Sequence, residues 1–218
     1  MHEYIIRLNG SRLPPAVGNK ACRLHFLARH GYRVPATHVC NWNAYLHYLQ
    51  NDHALITALS HELPRKIDLA TAYAIRSSAN IEDGLAYSFA GQFKSVLDVH
   101  GLENMLQALW SIWATTRTPS VEAYLIKHGV DPQQLRMAAL IQEMVTPVVS
   151  GVAFSKNPLT SLNEVIVEAV RGSGELLVRK GLTRGRCNCR VTIRSICSCS
   201  IARARFCGAG KDPTIKRS

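Results

Sequence analysis

The stretch Ala74–Val99, AIRSSANIEDGLAYSFAGQFKSVLDV, decides how this chain is read. It opens in an apolar, strand-like run at Tyr73-Ala74-Ile75 and then presents Arg76, Ser77 and Ser78. The acidic pair Glu82-Asp83 follows, and then a small-residue turn, Ser88-Phe89-Ala90-Gly91-Gln92. A fixed guanidinium beside a loop of bare backbone N–H groups suits a polyphosphate, because both offer donors and positive charge to phosphate oxygens. Gly91 lets the backbone come close to a ligand, having no Cβ to clash. An ion pair of Arg76 with Glu82 or Asp83 is the structural alternative, and the two readings are compatible.

Composition sets the outer limits. The chain has 218 residues, enough for one large domain or two small ones, and its 47% hydrophobic content allows a sizeable core. No apolar run approaches the roughly 20 residues needed to span a bilayer. The start, MHEYIIRLNG, carries no charged segment followed by a long apolar one, so no secretory signal is visible. A cytoplasmic protein is the expectation.

The formal net charge of +11 is unevenly distributed. Residues 179–218 hold eleven Lys or Arg and one acid, Asp212, which leaves fifteen bases and fourteen acids for residues 1–178. Cys187, Cys189, Cys197, Cys199 and Cys207 also crowd into this tail, against Cys22 and Cys40 in the body. Three accounts of the tail compete. Zinc sites place two to four residues between paired cysteines, whereas these pairs are C-x-C and no histidine accompanies them. A nucleic-acid arm would use the arginines against phosphates, but aromatic platforms are lacking apart from Phe206. An out-of-frame continuation fits the abrupt end of hydrophobic periodicity near Val178, and it is favoured here. Residues 183–218 are therefore expected to be an unstructured Arg/Cys-rich tail, and nucleic acid is not expected as a partner.

The body reads as mixed helix and strand. Gly18 or Asn19 opens a helix with Ala21, Leu24, Leu27 and Ala28 on one face, and Gly31 suits its stop. Val34-Pro35 is extended chain. Asn41 caps a second helix carrying Trp42, Tyr45, Leu46 and Leu49. Residues 51–70 are polar, include Pro64, and read as a connection with at most a short helix. Strands follow at Thr71–Arg76 and Phe93–Val99. Gly101 starts a helix with Leu102, Leu106, Leu109 and Trp113 on its core face and Trp110 beside them, and a further helix covers Ser120–Lys127. Met137–Met144, Gly151–Phe154 and Glu164–Val170 read as strands between turn residues.

The order RSSA-x-x-ED followed by SFAGQ resembles the nucleotide-binding domain of the phosphoenolpyruvate synthase and pyruvate phosphate dikinase family. Further segments extend the resemblance in family order over roughly residues 10–182. Val17-Gly18-Asn19-Lys20-Ala21 resembles the family's VGGK element, with Asn19 for the second glycine, and Tyr32-Arg33-Val34-Pro35-Ala36 resembles the stretch after it. Leu140-Ile141-Gln142-Glu143-Met144-Val145 resembles the hinge strand, and Gly151–Pro158 the strand and turn beyond. Gly172-Ser173-Gly174-Glu175 is similar to GLGE apart from Ser173.

The resemblance implies an α+β, ATP-grasp-like nucleotide-binding domain over residues 1–182, incomplete, with ATP between two subdomains. Lys20 and Arg76 would be the catalytic cations on the phosphates. Ser88, Ala90, Gly91 and Gln92 would form the lid loop, with Ser95, commonly threonine in the family, adding a hydroxyl. Gln142, Glu143 and Val145 would line the adenine, largely through backbone groups. Mg²⁺ is expected for the family, but its acidic and amide ligands lie on strands after the GLGE-like turn, so no metal ligand is assigned to this chain; Glu168 and Glu175 do not match the ligand motif. The phosphohistidine and pyruvate domains are also not recognised; all nine histidines lie at or before His128 and none matches that motif. The segment between Lys20 and Arg76 is shorter than usual in the family.

The expected function is the ATP-binding portion of a pyruvate,water dikinase-type phosphotransferase that does not complete the reaction alone. Alternatives are a related dikinase with another acceptor, such as a rifamycin phosphotransferase, or a degenerate non-catalytic fragment.

Overall fold

The computed structural model describes residues 3–8, 13, 15–81, 93–155 and 165–174, together with the backbone of 189–193. The chain divides into two compact units, Met1–Val145 and Thr146–Ser218.

The first unit is built on strand β5 (Met137–Glu143). Its first six residues are all buried, because layers cover both of its faces, and so it lacks the alternation of a half-exposed strand. Around it stand β1 (Ile5–Arg7), β2 (Thr37–Cys40), β3 (Tyr73–Ala79) and β4 (Ser95–Val99), in the order β1-β2-β5-β3-β4. Every pairing is antiparallel. Between Tyr73 and Ile75 the β3–β4 register shifts, and Asp98 nearby has φ 58°, which accommodates the extra residue of a bulge.

One sheet face carries Ile75, Ala79, Met137, Ala139 and Ile141 into the larger core. That core is closed by helices α2 (Trp42–Leu49), α3 (Ala54–Lys66), α4 (Leu102–Ala114) and α5 (Pro119–Lys127). The opposite face buries Val39, Ala138 and Leu140 against Leu8 and against Val17 and Ala21 of the α1 segment (α1, Gly18–Arg29). The partition follows from the period of two along a strand.

The helix starts agree with the sequence. The Asn41 side chain accepts a hydrogen bond from the Asn43 N–H at the head of α2, and Gly31, with φ 79°, follows the end of α1. Three expectations are corrected. Residues 51–70 hold the 13-residue helix α3, with Leu55, Leu59 and Leu63 buried at helical spacing. Pro64 sits in its last turn, so the ladder bond that its missing N–H removes lies near the end of the helix rather than in its middle. The carboxylate of Glu62 on this helix accepts the backbone N–H groups of Tyr4 and Ile5 at 3.0 and 2.8 Å and so holds β1 in place. Second, the buried face of α4 is Met105, Ala108, Leu109, Ile112 and Trp113, while Leu102, Leu106 and Trp110 are partly buried at its margin. Third, β1 and β2 are strands that the sequence did not announce; with 3 and 4 residues they are too short for a periodic signal.

The second unit contains a three-stranded antiparallel sheet, β6 (Val149–Phe154), β7 (Val165–Arg171) and β8 (Cys189–Ile193), in that order. Gly151 must lack a side chain there, since a Cβ would lie 2.7 Å from the Glu168 carbonyl oxygen. Strand β8 pairs Val165 with Ile193 through to Ala169 with Cys189. It falls inside the tail expected to be unstructured, and for these five residues that expectation is corrected: a Val-Thr-Ile run supplies the β-branched residues a pleated strand favours.

His38 lies on β2 opposite Arg7 of β1. Burial chiefly, then the nearby charges of Arg7 and Lys66, hold its imidazole below the ordinary pKa. As pH falls below about 6.5, the unfolded chain takes up a proton at this position before the folded chain does, so folding stability decreases. Chemical denaturation at a series of pH values should show a fall below pH 6.5 that is shallower in His38→Gln; parallel curves would contradict this assignment.

Candidate functional site

The first turn of α1 is locked to β3. Gly18 has φ +77°, and a Cβ on it would lie 2.1 Å from the Ser78 carbonyl oxygen and 2.7 Å from Ser78 Oγ. Only glycine combines this left-handed backbone with so close an approach. The Ser78 hydroxyl then enters the helix ladder itself. It donates to the Val17 carbonyl at 2.8 Å and accepts from the Ala21 N–H at 3.1 Å, the two groups that an uninterrupted α-helix would join directly. Lys20, half-buried in the same turn, donates from Nζ to the Ser77 carbonyl at 2.9 Å.

Arg76 shares the α1 side of the sheet, for it pairs with Leu140, a member of the small core under α1. On its other side it pairs with Ser95, which is exposed. The structure therefore brings Lys20, Arg76 and Ser95 to one region of one sheet face. Arg76 Nη1 donates to Gln142 Oε1 at 3.5 Å, Gln142 Nε2 donates to Thr37 Oγ1 at 3.1 Å, and Thr37 Oγ1 donates to the Pro35 carbonyl at 2.8 Å. Thr37 had no place in the sequence reading; its signal was a polar residue two positions after Pro35.

The expected adenine group is arranged differently from its reading in the sequence. Gln142 is buried and faces Arg76 and Thr37. Glu143 pairs with Tyr73, so its side chain belongs to the opposite sheet face, and it is exposed, as is Val145. The N–H groups of Glu143 and Met144 donate to the carbonyls of Ala36 and Ala72, both at 2.9 Å. The Glu143 donor, one of the backbone groups expected to read a base, is thus committed within the fold, as is that of Met144 beside it.

Ser88, Ala90, Gly91 and Gln92, the expected lid loop, lie outside the described residues, as do Glu82, Asp83 and Glu175. A surface cleft of about 250 Å³ adjoins the α1 start, lined by Pro15, Val17, Gly18, Asn19, Cys22 and Trp42 among others, but by neither Lys20 nor Arg76. Burial raises the Cys22 thiol above its ordinary pKa, away from the reactive thiolate. Among the described residues no cluster of three or more His, Cys, Asp or Glu could hold a metal ion. Nor is any described helix long and apolar enough to cross a membrane.

Residues 53–202 match the family described as the pyruvate phosphate dikinase AMP/ATP-binding domain. The chain belongs to this family. The matched stretch contains Arg76, Ser95, Gln142, Glu143 and Val145, starts after Lys20, and runs past residue 182, where the sequence reading ended the domain. Similar curated proteins include a rifampicin phosphotransferase of Bacillus cereus, 43% identical over 108 residues, covering 49% of this chain and 12% of that protein. A rifampicin phosphotransferase of Streptomyces sviceus is 33% identical over 201 residues, covering 74% of this chain and 23% of the relative. The phosphoenolpyruvate synthase of Pyrococcus furiosus is 36% identical over 124 residues, covering 56% and 15%. The chain spans less than a quarter of the length of each of these relatives.

Because Ser78 ties α1 to β3, Ser78→Ala should lower stability by about 1–3 kcal/mol, the cost of loosening two buried backbone partners. Gly18→Ala should cost about 2–4 kcal/mol through left-handed strain and displaced strand backbone. Urea denaturation checks both; a Gly18→Ala chain as stable as the parent would mean the contact with Ser78 does not persist in solution.

Proposed function

We propose that this member of the pyruvate phosphate dikinase AMP/ATP-binding family is the ATP-binding portion of a pyruvate,water dikinase-type phosphotransferase, with an ATP-grasp-like site on the sheet face that carries α1. The observation that carries this reading is the shared placement of two cations. Lys20 and Arg76 come from segments far apart in sequence, yet Lys20 Nζ bonds the carbonyl of the residue next to Arg76. In this reading Lys20 acts as a compact point charge on phosphate oxygens, while the planar guanidinium of Arg76 holds two oxygens at once and steadies charge on the transferred group. Ser95, opposite Arg76 in the β3–β4 pair, adds a hydroxyl at the same edge. Ser88, Ala90, Gly91 and Gln92 are assigned to the flap over the phosphates. Gln142, Glu143 and Val145 are assigned to the nucleotide end of β5, with Gln142 nearest the phosphates through its bond to Arg76.

Mg²⁺ would neutralise phosphate charge where it is bound; among the described residues no group of three or more His, Cys, Asp or Glu could hold a metal ion, and no ligand is assigned to it. The ATP-binding region, drawn at 1–182 from the sequence, is extended here to include β8, which pairs with β7. ATP is the ligand proposed, and the cytoplasm the location. The acceptor is proposed to be pyruvate. A rifamycin acceptor is the second reading, favoured by the relatives named rifampicin phosphotransferase at 43% and 33% identity.

Isothermal titration of the 218-residue chain with ATP tests the site. Arg76→Ala and Lys20→Ala should each weaken binding about tenfold or more, in keeping with charge-assisted hydrogen bonds worth roughly 1.5–3 kcal/mol. Equal heats for parent and variants would instead favour a fragment without a functioning nucleotide site.

A further inference from the structure

We infer that Thr37 is a positioning residue, whose hydroxyl fixes the amide orientation of Gln142 and thereby the direction of the Arg76 guanidinium. This inference rests on the ATP-binding reading above.

The Thr37 hydroxyl has a single proton, and it goes to the Pro35 carbonyl at 2.8 Å. Its oxygen therefore has only lone pairs left to offer Gln142. At 3.1 Å, Gln142 must present its NH₂ group to that oxygen, and its carbonyl oxygen is consequently turned the other way. Arg76 Nη1 stands on that side, 3.5 Å from the carbonyl oxygen. A guanidinium has donors and no acceptor, so a flipped amide would set N–H against N–H. The two amide ends have nearly the same shape, and it is this hydrogen-bond network that distinguishes them.

Burial makes the orientation matter. Thr37 is 1% and Gln142 8% exposed, so water is poorly placed to substitute for a lost partner. Strand register puts the parts in reach. Thr37 is directly opposite Gln142 in the β2–β5 pair, and Ala74 is opposite it in the β3–β5 pair. Arg76, two residues along β3 from the small Ala74, is the diagonal neighbour of Gln142, within reach of a long side chain. At 3.5 Å the contact steers the guanidinium rather than clamping it, and its other N–H groups are the ones a phosphate would engage.

ATP titration of the full chain as a double-mutant cycle tests this. Thr37→Val removes the hydroxyl at nearly constant volume, and Thr37→Ser keeps it. Thr37→Val should weaken ATP binding about tenfold, Thr37→Ser should bind as the parent does, and Thr37→Val should have no further effect in an Arg76→Ala background. A purely structural role for Thr37 would weaken binding equally in both backgrounds, and that additivity would overturn the inference. So would parental affinity in Thr37→Val when Arg76→Ala is weakened. Parental affinity in Arg76→Ala, or no ATP binding by the parent, would overturn the ATP site and this inference together. If Thr37→Val loses its cooperative thermal melt, Thr37→Ala takes its place in the same cycle, with the same expectation and the same contradictions.

Discussion

A single hydroxyl holds the candidate site together. Ser78 of β3 stands between the Val17 carbonyl and the Ala21 N–H, so the first bond of α1 passes through the sheet instead of closing within the helix. The fit is enforced by Gly18, where any side chain would collide with the Ser78 backbone. A helix start fixed in this way cannot slide along the strand without breaking buried hydrogen bonds. That constraint places Lys20 over Ser77 and makes the position of one cation depend on the strand that carries the other. Lys20 and Arg76 belong together because of this interlock, although 55 residues of sequence, including two helices and a strand, lie between them.

Among the described residues Arg76 meets a neutral partner. Arg76 is steadied by the neutral amide of Gln142, and a neutral acceptor orients a guanidinium without cancelling it. A carboxylate in that position would hold the side chain more firmly and would also repel phosphate. The sheet contributes through its geometry. The same period of two that sends Ile75 and Ile141 into the helical core sends Arg76 and Gln142 to the α1 side. The packing of the larger core therefore decides which face bears the polar groups.

Much of this was legible in the sequence, for physical reasons that differ from element to element. The Asn41 cap, the glycine after α1 and the apolar runs of β5 and β7 are local signals, and each became the expected element. Helix α3 was obscured because Pro64 suggests a break, although Leu55, Leu59 and Leu63 already described a buried face. Strand β8 was obscured because arginines and cysteines dominate its surroundings, while its pairing depends on β7, a non-local partner. At the site, Lys20 and Arg76 could be named from motif order, but the roles of Ser78 and Thr37 could not. Both act through contacts made across sequence separations of 57 or more residues, and only tertiary structure reveals these. Gln142 illustrates the same limit: its residue type pointed to the site, and its geometry turned it toward Arg76.

The central claim is that the α1–β3 interlock presents two cations to one triphosphate. A crystal structure of the chain with a non-hydrolysable ATP analogue tests it most directly. The account predicts phosphate oxygens within hydrogen-bonding distance of both Lys20 Nζ and the Arg76 guanidinium, on the sheet face that carries α1. A nucleotide bound elsewhere, with Lys20 still on the Ser77 carbonyl and Arg76 still on Gln142, would contradict it.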